Sequence, residues 1–591
     1  MIKTKKKKID KIGNIRHSLS HLMATVVQEF FPGVKLGMGP AIENGFYYDF
    51  DLVPKGTSFT PQDLSKIEKR MRELIKQNIP FNKRIITRTE AKELFKNQPY
   101  KLDLIKELRD NKINLYQHGN FVDLCLGPHV KKTEEIPQDA FKLTKIAGAY
   151  WKGDEKNPML SRIYGLAFET KKELEDYLKI QEEAEKRDHR KLGKDLDLFY
   201  FSELVGPGLP LFTPKGTFIK EELQKNVEAI CREYGFEKVS TPHLTKIDLY
   251  EISGHAKKFS DELFRVTSPR GHEFVLRPVQ CPHQTQIYAS KIRSYKELPI
   301  RYMESSNQYR AEKTGEVGGL NRVYAITVED GHTFCTPEQV KSEIKAMVNI
   351  IKKFYTSFDL WGKHKVFLSV RDYKHHEKYI GEKKDWDLCE KILQEVSDEM
   401  KLNAEKKEGE AALYGPKLDF MFKDALGREI QIPTVQIDFA TPKRFNLTYI
   451  NKEGKEQNPV MVHRAILGSY ERFLALIIEY FAGALPLWLS PVQVQVIPIG
   501  ERHKKYAQSM VKELEAENIR ASARIDNETV GKKIREGEMQ KIPYLLIVGD
   551  REMKNETIGI RERGKGDLGA IGLSDFIEQI KIEIKDKKIK K

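Results

Sequence analysis

Cysteine is scarce: five in 591 residues, at positions 125, 231, 281, 335 and 389. An odd, sparse set in so long a chain excludes a disulfide framework and predicts reduced thiols. Long apolar runs are also missing, so no stretch reads as a membrane span. The opening Met1-Ile2-Lys3-Thr4-Lys5-Lys6-Lys7-Lys8 is basic, but the apolar run of a secretory signal and the Arg/Ser-rich amphipathic character of a transit peptide are lacking. A cytoplasmic location is the expectation. There is no internal repeat, and no low-complexity segment beyond the lysine-rich termini.

What is present is an ordinary globular composition, 40% hydrophobic and 32% charged. The length allows about three or four domains, each able to bury its own core. A formal charge of +15 suits a polyanionic partner, although a basic balance alone does not name one. Two seams divide the chain. From Phe168 to Arg190 it turns highly charged and helical, then passes through Lys191-Leu192-Gly193-Lys194. The second seam follows Leu485-Pro486-Leu487-Trp488-Leu489-Ser490-Pro491, where the alternating strand Val492-Gln493-Val494-Gln495-Val496 begins. Beyond it, strands near 492–499, 519–525, 544–548 and 557–561 alternate with helical runs over 503–517 and 530–540, which implies a small α/β domain with a mixed sheet. The middle part has more numerous strands broken by polar loops, and suits an antiparallel sheet flanked by helices.

The most informative pair is Arg310 and Glu312, in Asn307-Gln308-Tyr309-Arg310-Ala311-Glu312. A Gly-rich polar loop follows, and the chain returns through Arg322-Val323-Tyr324 to Glu329-Asp330-Gly331-His332, a layout that reads as strand, loop, strand. Two residues apart on a strand, Arg310 and Glu312 project to one face, offering a guanidinium to a phosphate and a carboxylate to an exocyclic amine. An isolated R-x-E is more often a weak cross-strand pair. This stretch resembles motif 2 of the class II aminoacyl-tRNA synthetases, and Asp330 and His332 before Phe334-Cys335 resemble the threonine-specific branch. Leu467-Gly468-Ser469-Tyr470-Glu471-Arg472 is similar to motif 3. The helix carrying Ile219, Leu223, Val227 and Ile230, leading through Tyr234-Gly235-Phe236 to Thr241-Pro242, is similar to motif 1.

The resemblance carries specific expectations. Arg310 holds the α-phosphate of ATP and Arg472 its terminal phosphate end, with Glu312 and Gln431 completing the nucleotide set. Arginine suits the task because its planar fork stays charged and binds oxygens in pairs. Cys281, His332 and His463 are scattered in sequence, and by composition each reads as a packed thiol or a hydrogen-bonded histidine. The family holds one zinc per subunit through Cys, His and His in these contexts, and three protein ligands leave an open position for substrate. Zinc chelated by an amino group and a β-hydroxyl accepts threonine and rejects valine. Asp330, Tyr414, Lys417 and Gln436 are expected to line the amino-acid pocket, with Gln436 and His255 near the terminal ribose of the tRNA. Mg2+ accompanies ATP, and motif 1 implies a homodimer.

A second pocket is expected in the first domain. His17-Ser18-Leu19-Ser20-His21 places two histidines on one helical face, and Cys125-Leu126-Gly127-Pro128-His129 adds a thiol and a third histidine. The pattern fits four zinc ligands. It also resembles the hydrolytic domain shared by threonyl- and alanyl-tRNA synthetases. Runs around Gly39–Phe50 and Gly148–Asp154 match the threonyl branch, which implies a metal-free pocket working through side chains and water. There His17, His21, Lys101, Asp123, Cys125 and His129 orient a mischarged seryl ester, with His21 or His129 as proton relay.

The implied architecture is multidomain, α+β and α/β. It comprises an editing domain (1–167), a helical linker (168–194), a class II antiparallel-sheet catalytic domain (195–487) and an α/β anticodon-binding domain (488–591), where Arg561 and Arg563 face single-stranded bases. The implied partners are tRNA(Thr), ATP and L-threonine. The chain departs from the family pattern at Ile326, where an aromatic is usual, and at Gly318, Tyr324, His283-Gln284 and Pro433. It also begins at the editing domain, without the ubiquitin-like extension of many bacterial relatives. The rival readings are a class II synthetase for another amino acid and a non-catalytic RNA-binding regulator.

Overall fold

The computed structural model describes residues 10–590 except 55, 314, 425 and 426, so the basic run Met1–Lys8 lies outside the described residues. The chain forms two compact units, 1–182 and 183–591. The expected linker is two helices, Lys171–Arg187 and His189–Asp195, and the division falls within the first of them.

In the first unit, helix Lys11–Phe30 starts where the Asp10 carboxylate accepts the Gly13 amide, 3.1 Å. Its apolar positions Ile15, Leu19, Leu22, Met23, Val26 and Val27 recur at helical spacing and are buried in one core with Phe46, Tyr48, Phe50 and Ile163 of an antiparallel sheet. That sheet runs Lys35–Leu36, Gly45–Asp51, Met159–Ala167, Phe141–Tyr150. A second sheet orders Asn82–Thr87, Lys112–His118 and Phe121–Leu124. The last strand carries Asp123, and Cys125 follows it.

The second unit is built on an eight-stranded sheet in the order Glu237–Lys238, Ile300–Tyr309, Ala325–Cys335, Val460–Ser469, Glu429–Asp438, Lys417–Lys423, Lys365–Val370, Glu405–Glu408. Only its two outermost pairings are parallel. Side-chain alternation sorts the two faces. Cys335, Val460, Val462 and Ile466 pack on one face in a core shared with helices Pro214–Glu233, Val340–Thr356 and Tyr470–Tyr480. Phe334 and Met461 lie in a smaller core with Cys281. His332 and His463 are directly paired in register two residues from these, so they share that second face. Motif 1 is helix Pro214–Glu233, whose Ile219, Leu223, Val227 and Ile230 are all buried, but its strand is only Glu237–Lys238.

After residue 490 a five-stranded mixed sheet follows, ordered Ala521–Ala523, Val494–Pro498, Tyr544–Val548, Thr557–Glu562, Gly566–Gly572. The expected alternation of Val492–Val496 is not a solvent face: Gln493 and Gln495 are buried. A central strand with helices on both sides leaves neither face to water. Gln493 is accommodated because its amide donates to Leu487 O at 3.0 Å and accepts from Arg520 N at 2.9 Å. Arg563, expected to face RNA bases, instead donates to Ala484 O and Leu485 O, at 3.1 and 2.7 Å. It is spent on the chain that leads from helix Tyr470–Tyr480 toward the five-stranded sheet. All five cysteines are buried and unpaired, and no helix among the described residues is long and apolar enough to cross a membrane.

Candidate functional site

Cys281 begins helix Cys281–Ala289, while His332 and His463 stand on adjacent antiparallel strands. Their donor atoms lie within 4.8 Å of one another, and all three residues are buried. His332 Nδ1 meets Gln284 Oε1 at 2.8 Å, and its Nε2 is buried with no hydrogen-bond partner. His463 Nε2 meets Asp438 Oδ2 at 3.0 Å, which leaves Nδ1 for the shared space. An orphaned imidazole nitrogen, a thiol and a second imidazole, each histidine held from behind, are a donor set that could hold a metal ion. Burial pushes the Cys281 thiol well up and His332 well down, so both are neutral as the protein stands. Asp330 lies 3.7 Å from His332 Nε2, and burial raises its carboxyl to about 7. A bound cation would reverse the local preference for neutral groups.

The remaining pocket residues converge here. Tyr414 stacks on His463, with ring centroids 4.6 Å apart, and donates to Gln436 Oε1 at 2.9 Å. The approach requires Gly415, where a Cβ would stand 1.7 Å from Ile437 O. Gln436 is the register partner of both His463 and Lys417. Asp419 collects Lys417 Nζ at 2.5 Å, Gln431 Nε2 at 2.8 Å, Thr434 Oγ1 at 3.0 Å and Ser369 Oγ at 2.6 Å. His255 is buried, meets Ser253 Oγ at 2.8 Å, and is lowered to about 3, chiefly by burial and then by His463.

Arg310 and Glu312 are not on a strand. The strand ends at Tyr309, and the chain leaves the sheet because Ala311 N bonds to Glu262 O at 2.8 Å. Same-face projection therefore does not relate the two residues. Glu312 accepts from Arg322 at 2.6 Å, while Arg310 lies 5.1 Å over the Phe259 ring and donates to Pro278 O at 3.3 Å. Arg472 follows the cap in which Ser469 Oγ accepts its amide, and its Nε donates to Asn321 O at 3.3 Å. Burial lowers Arg472, and Arg310 and Arg322 lower it further. Three cations this close, two of them half-buried, make a place for an anion of several charges.

In the first unit, the donor atoms of His17, His21, Cys125 and His129 also lie within 4.8 Å of one another. Cys125 Sγ is 3.3 Å from His17 Nε2 and 3.2 Å from His129 Nε2. Behind them Asp123 pairs with buried Lys101 and accepts from Tyr48 OH at 2.5 Å. Burial lowers His129 to about 2 and raises Cys125 to about 11. The pocket presents neutral imidazoles in front of one carboxylate that is paired with Lys101.

The two histidine–cysteine clusters thus assemble, whereas Gln431, expected with the nucleotide set, bonds to Asp419 beside Lys417. Sequence reasoning missed Gln284, Asp438 and Asp419, which hold the predicted residues from behind. The local signal for Asp438 is weak, since an aspartate ending a strand before a short helix reads as a cap, and it does cap Ala440 N and Thr441 N, both at 2.8 Å.

Residues 264–481 match the tRNA synthetase class II core domain (G, H, P, S and T), residues 493–583 an anticodon binding domain, and residues 113–164 the threonyl and alanyl tRNA synthetase second additional domain. The threonine–tRNA ligase of Gloeobacter violaceus is 46% identical over 578 residues, 96% of this chain and 92% of that protein. That of Thermus thermophilus is 44% identical, covering 97% of this chain and 89% of the relative. Among solved structures, the RNA binding domain of threonyl-tRNA synthetase from Cryptosporidium parvum Iowa II superposes with a TM-score of 0.63 at 33% identity, over 67% of this chain and 98% of that one. The chain belongs to the threonine–tRNA ligase family.

Proposed function

We propose that the second unit activates L-threonine with Mg2+-ATP and transfers it to tRNA(Thr), and that the first unit hydrolyses seryl-tRNA(Thr). The threonine carboxylate attacks the α-phosphorus, giving threonyl-adenylate and releasing pyrophosphate. A ribose hydroxyl at the tRNA end then attacks the acyl carbon and releases AMP. Arg310 steadies the α-phosphate as charge builds on it, and Arg472 holds the departing end. Gln431, Lys417 and Asp419 fix one wall of the pocket, and Tyr414 and Gln436 the floor beside His463. His255 and Gln436 stand where the tRNA ribose would arrive. The observation that carries substrate choice is the Cys281, His332 and His463 cluster with its unpartnered His332 Nε2. Zinc held there supplies a Lewis acid for the amino group and hydroxyl of threonine, a pair that valine cannot offer.

Serine offers the same pair, and the missing methyl gives only about 1–3 kcal/mol of selectivity. A second, hydrolytic pocket meets that need. His17, His21, Cys125 and His129, backed by Lys101 and Asp123, orient the ester and a water without metal, and a neutral imidazole accepts the water's proton. The four donors would also fit a metal, and stoichiometry separates the cases: one zinc per chain, lost in Cys281→Ala, supports this reading, whereas a second zinc retained in that variant assigns metal to the editing pocket. A homodimer through motif 1 completes the proposal, tested by sedimentation of the full chain.

A further inference from the structure

Asp188, His189 and Glu479 also bring three donor atoms within 4.8 Å, outside both pockets. This is not a metal site, because both ring nitrogens of His189 are already engaged. Nδ1 stands 2.7 Å from Glu479 Oε1, and Nε2 receives the backbone amide of Leu320 at 3.1 Å. The two bonds fix the tautomer. An amide N–H can only donate, so Nε2 carries the lone pair, the proton sits on Nδ1, and the acceptor for that proton is Glu479.

The three partners come from elements with different duties. His189 opens the linker helix His189–Asp195 and is buried, with Asp188 as its cap. Glu479 lies in the last turn of helix Tyr470–Tyr480, which carries Arg472 in its first turn. Leu320 sits in the segment between strands Ile300–Tyr309 and Ala325–Cys335, the segment that contains Glu312 and Arg322 and whose Asn321 carbonyl accepts from Arg472. Gly319 adopts φ +53°, and a Cβ there would stand 2.3 Å from His189 Nε2, so the segment can seat on the imidazole only with glycine at this position.

We infer that His189 is a positioning residue for ATP: from the linker, it clamps the segment that carries Glu312 and Arg322 to the helix that carries Arg472. The imidazole touches no substrate. It holds the Leu320 amide at one end and the arginine helix at the other, so the spacing between Arg322 and Arg472 depends on it. The inference rests on the reading of these arginines as the ATP phosphate site.

The test is threonine-dependent ATP–pyrophosphate exchange on the full chain, reading KM for ATP and for threonine separately. His189→Ala is expected to raise the ATP KM about ten-fold while the threonine KM stays within about two-fold, the signature of a displaced nucleotide contact. His189→Gln, which keeps an acceptor near the place of Nε2, is expected to recover most of the loss. Gly319→Ala should reproduce the defect with both His189 and the helix intact. A folded His189→Ala or Gly319→Ala with an unchanged ATP KM, or a uniform loss in kcat tracking the folded fraction, overturns the inference. Arg472→Ala is the control: if it raises the ATP KM and the other variants do not, only the clamp fails, and if it too leaves that KM unchanged, the phosphate-site reading fails along with the clamp.

Discussion

His332 and His463 face each other across neighbouring antiparallel strands, with ring centroids 4.7 Å apart and planes at 84°, and each is held on its far side by a side-chain oxygen, Gln284 for one and Asp438 for the other. Register decides this pairing. A slip of one residue on either strand would send one ring into the helix-covered core and break up the cluster with Cys281.

The relationship gives the first prediction. Asp438→Asn keeps an oxygen for the Ala440 and Thr441 amides but turns an amide group toward His463 Nε2. Zinc affinity is expected to fall about 10- to 100-fold with the fold retained, measured by competition with a chromogenic chelator. Unchanged affinity would mean that Asp438 only caps the helix.

The metal trio was legible only through resemblance, because its members come from one helix and two strands far apart in sequence and share no local spacing. The alternation of strands and helices in the last domain was legible from the residues alone. Arg310 and Glu312 were singled out together, but the strand expected to carry them ends at Tyr309, since the bond from the Ala311 amide to Glu262 O is a long-range contact that no local pattern announces. Arg563 failed for a similar reason: an arginine just past the strand Thr557–Glu562 looks like part of an RNA face until the carbonyls of Ala484 and Leu485 are found to accept from it.

A second prediction concerns the phosphate arginines. If Arg310 and Arg472 meet the developing phosphate charge as proposed, Arg310→Ala and Arg472→Ala each remove a half-buried cation and should lower exchange kcat/KM by about 10²–10³-fold. Stopped turnover with normal threonine binding, measured by calorimetry, would locate the loss in the nucleotide step.

Stability depends on a pair beneath the sheet. Arg464 donates to both oxygens of Glu329, at 2.8 and 2.7 Å, and both side chains are fully buried. Glu329→Gln leaves a buried guanidinium without its counter-charge and should destabilise the second unit by about 3–5 kcal/mol in urea unfolding. Arg232→Ala breaks the pair with Glu228, whose arginine is 59% exposed, and should change the same midpoint little.

The two pockets should also separate by mutation. His129→Ala lies in the first unit, among His17, His21 and Cys125, and is expected to slow seryl-tRNA hydrolysis by about 10²-fold. Threonine activation should be unaffected, because its residues all belong to the second unit. A parallel loss of activation would show that the editing pocket is not independent.

The most direct test of the whole reading is ATP–pyrophosphate exchange measured with one amino acid at a time. Exchange strongest with threonine, weaker with serine and absent with valine, alanine and proline is the predicted result. Exchange with alanine or proline but not threonine, or no exchange with any of them, would contradict it.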